Sequence, residues 1–352
     1  MILRGAAARS AVTVAGLLAA LCGACDRGLS GSSSAPSASR PVVLYCSADE
    51  QFARPLLAEF TSRTGIQVRP VFDTEAGKTT GLIERLRAER RRPIADVWWS
   101  SEIYGTLLLA GDGLLVPFDP ATASDIPTQF RDADRRWTAF GLRGRALAFD
   151  PSRTPREKVP LRWELLADPA WRGRIAMANP LYGTTRGQMA QLLAAWGEER
   201  FRAYLTALAA NGVRLADGNA HSVRMLIAGQ VDLAMTDTDD IRVAKAGGAS
   251  IDFLLPTVGD EGSPQAALWI PNSVGLVAGG SNPDGGRRLV EFLASADTEG
   301  GLEASESGNV PVRPELRRGG PGSELIVQAP DYRAGAARLS KSDELSRALL
   351  LK

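Results

Sequence analysis

Residues 42–72 read VVLYCSADEQFARPLLAEFTSRTGIQVRPVF and set the pattern for the rest of the chain. Val42 to Cys46 is a continuous apolar run with β-branched residues, which is typical of a buried parallel strand. The next apolar residues recur at helical spacing: Phe52, Leu56, Leu57 and Phe60. Gly65 marks the end of this helix, and residues 66–72 alternate as a second strand. The stretch therefore predicts a strand–helix–strand unit.

The same order of elements continues along the chain. Further strands are predicted over residues 94–99, 145–149, 174–178, 231–235 and 273–277, with apolar residues at helical spacing between them. Alternation of strands and helices implies a mainly parallel sheet covered by helices on both faces. We therefore predict an α/β fold.

The length of 352 residues favours two α/β lobes. We predict that residues 41–142 form lobe 1, which residues of about 275–300 complete, and that residues 143–274 form lobe 2. Residues 301–352 form a C-terminal helical segment that packs on the lobes. The chain would cross between lobes near Leu142–Asp150 and Ile270–Gly279, and these two segments would make a hinge beside a ligand-binding cleft.

The N-terminus has the features of an export signal. Arg4 and Arg9 precede a short apolar stretch that is followed by small residues and Cys25. We predict a signal peptide over residues 1–24, lipidation of Cys25 and a flexible tether over residues 25–40, which is rich in Ser, Gly and Pro. The alternative is plain secretion without a lipid. Either route leads to the periplasm or cell envelope.

Composition and motifs exclude several classes of function. The 41 basic residues become 39 once Arg4 and Arg9 leave with the signal, against 40 acidic residues, so no basic face for nucleic acid is expected. Cys46 would be the remaining cysteine and is interpreted as a small buried residue. A single His, and the absence of Gly-x-Ser-x-Gly, Walker A and HExxH motifs, argue against an enzyme.

Seven short stretches, in this order, resemble the ferric-ion-binding periplasmic proteins of ABC importers. They span nearly the whole mature chain: Val43–Ser47, Glu59–Ile66, Ala95–Ser100, Trp171–Ile175, Asn179–Thr185, Ala228–Asp232 and Asn309–Val312. The resemblance implies a two-lobed type II periplasmic binding protein, each lobe a mainly parallel sheet flanked by helices, joined by a two-segment hinge. It also implies a monomer that delivers its ligand to an ABC permease and its ATPase.

The resemblance breaks at the metal ligands. In ferric members two adjacent tyrosines hold the ion, often with a His and a Glu from the other lobe, together with an anion. The tyrosine positions fall on Asp239 and Asp240, and the His position falls on Asp49. The Glu position falls on Ser101, with Glu102 one residue along. The tyrosine–iron site is therefore absent.

An acidic stretch nevertheless follows the strand over residues 231–235. Asp237, Asp239 and Asp240 should repel one another unless a positive group is bound, and carboxylate oxygens suit hard metal ions. The alternative is that they cap a helix N-terminus. Loops after parallel strands line the ligand crevice, so Ser47 with Asp49, and Ser101 with Glu102, are predicted to face these aspartates from lobe 1.

Gly183, Thr184 and Thr185 begin a predicted helix. Backbone N–H groups at a helix N-terminus attract anions, and threonine hydroxyls add donors. An ordinary threonine cap is the alternative, but in the proteins that this chain resembles the same loop binds the anion. His221 falls where those proteins place an anion-contacting Asn, although a lone His is more often structural.

Two ligand classes remain open. The first is a hard metal ion, iron by resemblance, or a metal–anion complex, with Asp49, Asp239 and Asp240 as metal ligands and a synergistic anion on residues 183–185. The second is a small zwitterion or phosphorylated solute such as an aminophosphonate, with its anionic end on the threonines and its ammonium group on the aspartates. No catalytic cofactor is expected. An enzyme and a purely structural lipoprotein are less favoured alternatives.

Overall fold

The computed structural model describes residues 40–73, 77, 79–259, 266–317 and 329–351. The predicted signal peptide, the lipidated Cys25 and almost all of the predicted tether lie outside these residues. Within them, no helix is both long and apolar enough to cross a bilayer.

The first half of the fold contains four strands and three helices. In chain order these are β1 (Val42–Cys46), α1 (Glu50–Thr64), β2 (Val68–Phe72), α2 (Thr80–Ala88), β3 (Val97–Ser100), α3 (Ile103–Gly111) and β4 (Leu115–Val116). Strand β1 lies between β2 and β3, and all three are parallel. Helix α1 ends at Gly65, whose φ of 72° is the left-handed conformation that a glycine C-cap adopts at little steric cost.

The second half of the fold begins with the long strand β5. Its elements are β5 (Thr138–Phe149), β6 (Ile175–Ala178), α4 (Gly183–Ala210), β7 (Arg214–Ala216), α5 (Asn219–Ile227), β8 (Leu233–Asp237), α6 (Thr238–Ala246), β9 (Asp252–Leu254) and β10 (Trp269–Val277). Strand β6 pairs parallel with both β7 and β8. Helix α4 breaks at Gly197 (φ 77°, ψ 169°), so it consists of two helical segments joined across a kink.

Strands β5 and β10 connect the two halves. Residues Thr138–Gly144 of β5 pair antiparallel with β10, whereas Arg145–Phe149 pair antiparallel with β8. The other end of β10 pairs antiparallel with β3. This arrangement agrees with the predicted two-segment connection, and it places the cleft where β5 passes from one half to the other.

Apolar side chains cover both faces of the sheet, as a buried parallel sheet requires. The adjacent residues Trp98 and Trp99 show the alternation, because Trp98 lies in one core cluster and Trp99 in another. Both rings are buried. Neither therefore forms an aromatic wall for a ligand.

The C-terminal part contains α7 (Pro283–Leu293), α8 (Ala296–Ala304), α9 (Tyr332–Ala336) and α10 (Leu339–Leu349). Tyr332 and Leu339 join the core cluster that contains Trp98, whereas Leu345 joins the cluster around Phe149 and Trp163. The last two helices thus pack on residues from both halves. The exact lobe boundaries stay a prediction.

One element differs from its prediction in a way that shapes the site. Strand β8 runs to Asp237, and helix α6 begins at Thr238, so residues 236–240 are not a loop. Asp237 is the N-cap residue by position, but its side chain makes no capping hydrogen bond. Its carboxylate is bonded elsewhere, as described next.

Candidate ligand-binding site

A cavity of about 50 Å³ lies where the two halves meet. The first half contributes Asp49 and Ser101, and the connecting strand β5 contributes Arg143. The second half supplies the rest of the lining: Ala178, Asn179, Tyr182, Gly183, Thr184, Thr185, Asp217, Gly218, Asn219, Ala220, Asp237 and Asp240. Most of these residues follow the carboxyl ends of β1, β3, β6, β7 and β8, where the crevice of an open α/β sheet is expected.

Arg145 is the central cation of the site, and its side chain is 0% exposed. Its Nη1 donates to Asp237 Oδ1 at 2.6 Å, and its Nε donates to Gln188 Oε1 at 2.8 Å. Nη1 also donates to Thr184 Oγ1 at 3.2 Å, and Nη2 donates to Thr185 Oγ1 at 3.3 Å. One guanidinium group therefore fixes both the first aspartate and the threonine pair.

The second oxygen of Asp237 is also satisfied. Thr184 Oγ1 donates to Asp237 Oδ2 at 2.7 Å, and Asn219 Nδ2 donates to the same oxygen at 2.9 Å. A buried carboxylate is tolerated only when it is paired and hydrogen-bonded, and both conditions hold here. The expected repulsion within the acidic stretch is thus partly relieved by the protein's own arginine.

Asp239 is paired in the same way with Arg143, whose Nη1 lies 3.1 Å from Asp239 Oδ2. Burial raises the pKa of the Asp239 carboxyl, Arg143 opposes this, and the neighbouring Asp237 and Asp49 raise the pKa further. The third aspartate of the stretch, Asp240, accepts a hydrogen bond from Thr236 Oγ1 at 3.0 Å. One carboxylate oxygen from each of Asp237, Asp239 and Asp240 lies within 4.8 Å of the other two.

Asp49 and Asp240 come from different halves of the fold and line the same two spaces. Both line the cavity described above, and both line an adjoining space of about 390 Å³ that also contacts Ser47, Phe72 and Ala220. The structure therefore brings together carboxylates from the two halves, as the sequence predicts.

Helix α4 begins at Gly183, where the backbone has φ 53°. The N-cap residue, Tyr182, makes no side-chain hydrogen bond to the first turn. Thr184 bonds instead to Arg145 and Asp237, and Thr185 bonds to Arg145 and Asn219, so they are not ordinary caps. A helix N-terminus without a side-chain cap and with a buried arginine behind it is suited to an anion.

Residues 94–315 match the family model described as "Bacterial extracellular solute-binding protein", which covers well over half of the 352 residues. The chain belongs to this family. The chain is 25% identical to iron uptake protein A1 of Synechocystis sp. over 270 residues. The aligned region is 74% of this chain and 72% of the relative.

Two further similarities bear on ligand and fold. A putative 2-aminoethylphosphonate-binding periplasmic protein of Salmonella typhimurium is 27% identical over 317 residues, 87% of this chain and 86% of the relative. The crystal structure of iron-bound HitA from Pseudomonas aeruginosa superposes with a TM-score of 0.74 at 22% identity, covering 88% of this chain and 99% of the other. These relatives are named for uptake or binding, not for catalysis, and the structural match supports the two-lobed α/β fold.

Four predicted site residues of this solute-binding protein do not line the cavity. The first is Asp239, which is buried and paired with Arg143 next to the lining residue Asp240. Glu102 is buried and accepts hydrogen bonds from the backbone N–H groups of Tyr104 and Gly105, so it caps α3, and burial raises its pKa. Ser47 lies in a buried hydrogen-bond network with Thr79 and the backbone N–H of Ser101 and borders only the adjoining space.

His221 is the fourth of these residues. Its Nδ1 accepts a hydrogen bond from the backbone N–H of Asp217 at 3.2 Å, and its side chain is 37% exposed. Asn219, two residues earlier, lines the cavity and bonds to Thr184 and Asp237. Asn219, and not His221, is therefore the residue of this segment that contacts Thr184 and Asp237.

Arg143 and Arg145 are the site residues that the sequence prediction missed. They stand at alternate positions within 138–149, TAFGLRGRALAF, a stretch that is otherwise apolar apart from Thr138. Alternate residues of a strand share a face, and buried arginines need acidic partners. Two arginines at alternate positions of an apolar strand therefore indicate a buried site with acidic partners.

Gly187 provides a test of how closely the two halves pack in this solute-binding protein. A Cβ at Gly187, on α4, would overlap the ring of Tyr104, which is buried on α3 and bonded to Gln191. We expect Gly187→Ala to lower the unfolding free energy by about 1–3 kcal/mol through overpacking. It should also weaken ligand binding, because α3 and α4 both begin at the cleft.

Thermal denaturation and titration calorimetry on Gly187→Ala measure the two effects. Gly301→Ala is the control, since Gly301 is an exposed helical glycine and an added methyl group there would have nothing within 4 Å. Alanine at that position should add about 0.5–1 kcal/mol of stability. Unchanged stability and affinity in Gly187→Ala would show that the two helices separate freely.

Proposed function

We propose that this protein is the capture component of a bacterial ABC importer and that its ligand carries both signs of charge. The supporting observation is the mixed cavity lining, in which carboxylates from both halves meet an arginine-backed helix N-terminus. An iron(III)-like hard ion would bind to the carboxylates, and an anion bound together with it would bind to the helix N-terminus. The ligand would be passed to a permease and its ATPase.

Asp49, Asp239 and Asp240 are the proposed ligands of the cation. Carboxylate oxygens are hard donors, and those of Asp239 and Asp240 already lie within 4.8 Å of each other. The similarity to iron uptake protein A1 supports iron as the ion. The missing tyrosine pair implies that coordination here is by carboxylates.

The proposed binding site for the anion consists of Gly183, Thr184 and Thr185. The first turn of α4 has backbone N–H groups without partners inside the helix, and this turn lies at the cavity. Arg145 donates hydrogen bonds to the hydroxyls of Thr184 and Thr185. A cavity of about 50 Å³ holds roughly four waters at ~10–15 Å³ each. The enclosed part of the ligand should therefore be small, of the size of an ion with a carbonate, phosphate or phosphonate group.

The alternative ligand is a small aminophosphonate. The observation that favours it is the pairing of Asp239 with Arg143, which leaves less negative charge for a trivalent ion than three free carboxylates would. The similarity to a putative 2-aminoethylphosphonate-binding protein supports the same alternative. Its phosphonate would bind at Thr184 and Thr185, and its ammonium group at Asp240 and Asp49.

Titration calorimetry on ligand-free protein separates the two candidates. We expect heat from ferric ion supplied with carbonate or phosphate, and we expect Asp240→Asn to weaken that binding at least tenfold because it removes one anionic ligand. The exposed Asp284→Asn, on α7, is the matched control. Tight binding of 2-aminoethylphosphonate in the presence of a chelator supports the alternative, and no binding of either kind contradicts both.

We also propose that residues 1–24 direct export, that Cys25 carries a lipid, and that residues 25–40 tether a monomeric binding domain to the membrane in the periplasm. The basic start, the short apolar stretch and the small residues before Cys25 support this. Mass spectrometry of the N-terminal peptide tests it, and an unmodified N-terminus at any other residue contradicts it.

A further inference from the structure

Arg143 occupies an unusual position in the cleft. It lies on the same face of β5 as Arg145, because alternate residues of a strand point the same way. Its side chain is only 6% exposed, yet it lines the cavity. An arginine so deeply buried is retained only where other groups compensate its charge.

The guanidinium of Arg143 joins the two halves. Nη1 donates to Asp239 Oδ2, at the start of α6, and Nη2 donates to the backbone carbonyl of Ser101, which follows β3. Its Nε is buried and has no hydrogen-bond partner among the described residues. A residue that lines the cavity therefore carries a buried N–H donor without a partner among the described residues.

Carboxylates surround this guanidinium. Burial alone lowers the pKa of Arg143, but Asp239, Asp237 and Asp49 together outweigh burial and raise it above its ordinary value. A guanidinium group is not deprotonated in proteins, so Arg143 is positively charged at every physiological pH. It stands among carboxylates of both halves, which is the position that a bound cation would take.

Building on the proposed function, we infer that Arg143 is a specificity-determining residue that makes an anionic group obligatory in the ligand. A bare metal ion meets a fixed positive charge that is already paired with Asp239, and like charges repel strongly at low dielectric. A ligand that brings an anion can take up the donors of Arg143, which releases Asp239 for the cationic part. The site thus selects ion–anion pairs and zwitterions over simple cations.

Arg143→Met tests this inference, because methionine fills a similar length of the cavity without charge. The probes are Mn²⁺ and inorganic phosphate, each titrated alone by calorimetry. The wild type should bind phosphate and bind Mn²⁺ weakly. In Arg143→Met we expect phosphate affinity to fall at least tenfold and Mn²⁺ affinity to rise at least tenfold, since Asp239 loses its internal counter-charge.

A thermal melt provides a second readout that a merely structural arginine would not produce. Arg143→Met should melt at a lower temperature than the wild type, and Mn²⁺ should restore part of the loss, because binding to the folded state stabilises it. Arg143→Lys keeps the charge and should retain the wild-type preference. Arg214→Met removes an exposed positive charge from β7 and should change neither affinity.

The outcomes separate this inference from the proposed function. Arg143→Met with an unchanged ratio of phosphate to Mn²⁺ affinity overturns the inference, even if ferric–anion complexes bind. A wild type that binds no ligand, combined with new Mn²⁺ binding in Arg143→Met, contradicts the function but supports the role of Arg143. If Arg143→Met does not fold, Asp239→Asn frees the guanidinium instead, and a failure of phosphate affinity to rise severalfold overturns the inference.

Discussion

Replacing Arg145 by methionine should lower the free energy of unfolding by about 3–5 kcal/mol, the usual cost of leaving one member of a buried ion pair without its partner. Arg145 is 0% exposed, and its partner Asp237 is 2% exposed at 2.6 Å. Removing the guanidinium leaves the Asp237 charge with two neutral donors, Thr184 and Asn219. Two neutral donors compensate the charge of a buried carboxylate less well than a guanidinium group does.

Ligand binding should be lost in the same variant. Arg145 also donates hydrogen bonds to the hydroxyls of Thr184 and Thr185. These two residues lie in the first turn of α4 and belong to the proposed binding site for the anion. Without Arg145 the two hydroxyls lose their charged donor, and Gln188 loses the donor to its Oε1. We expect at least a hundredfold weaker binding by calorimetry, on top of the loss of stability.

A double-mutant cycle with Asp237→Asn separates charge from packing. Asparagine keeps the shape of Asp237 but removes its charge, so Arg145→Met combined with Asp237→Asn should be more stable than the sum of the single changes predicts. Urea denaturation monitored by tryptophan fluorescence gives the four free energies. Strict additivity would mean that Arg145 and Asp237 do not interact in solution.

The second large effect is expected at Arg313, which does not line the cavity. This arginine and Glu299 are both 0% exposed and lie 2.8 Å apart. Arg313 also donates to Asp125 at 2.9 Å and to the carbonyl of Ala294 at 3.0 Å. Arg313→Met should therefore lower the unfolding free energy by about 3–5 kcal/mol by leaving Glu299 with an uncompensated buried charge.

Arg313→Met should differ from Arg145→Met in its effect on binding. Arg313 does not line the cleft, so the dissociation constant of the folded variant should stay within about twofold of the wild type. Arg63→Met is the matched control, because Arg63 pairs with Glu59 at 3.1 Å on the exposed face of α1 and such pairs contribute only about 0–1 kcal/mol. If Arg313→Met and Arg63→Met lowered the unfolding free energy equally, burial would not explain the effect of Arg313→Met.

The strands and helices were predictable because each depends on nearby residues. The apolar run 42–46 became β1, and the spacing of Phe52, Leu56, Leu57 and Phe60 became the inward face of α1, with three of the four buried and Phe52 only partly so. The position of the cleft followed from the same pattern, since it lies beyond the carboxyl ends of the parallel strands. Family membership agreed with the order of the short matching stretches.

The charge balance of the cleft was not predictable in the same way. Asp237, Asp239 and Asp240 formed an unpaired acidic group when only neighbours in sequence were considered. In the folded chain two of them pair with arginines that precede them by 92 and 96 residues. Glu102 shows the reverse case, because its local role as a helix cap took precedence over the predicted role in binding.

Residue types and their periodicity alone determined the α/β class, the edge of the sheet that carries the site and the acidic character of one of its walls. Only the tertiary structure decided what those acids do, because the antiparallel register that sets Arg145 opposite Asp237 joins distant segments. Hydrophobic periodicity acts over a few residues, whereas compensation of a buried charge depends on whichever group the fold brings within hydrogen-bonding distance.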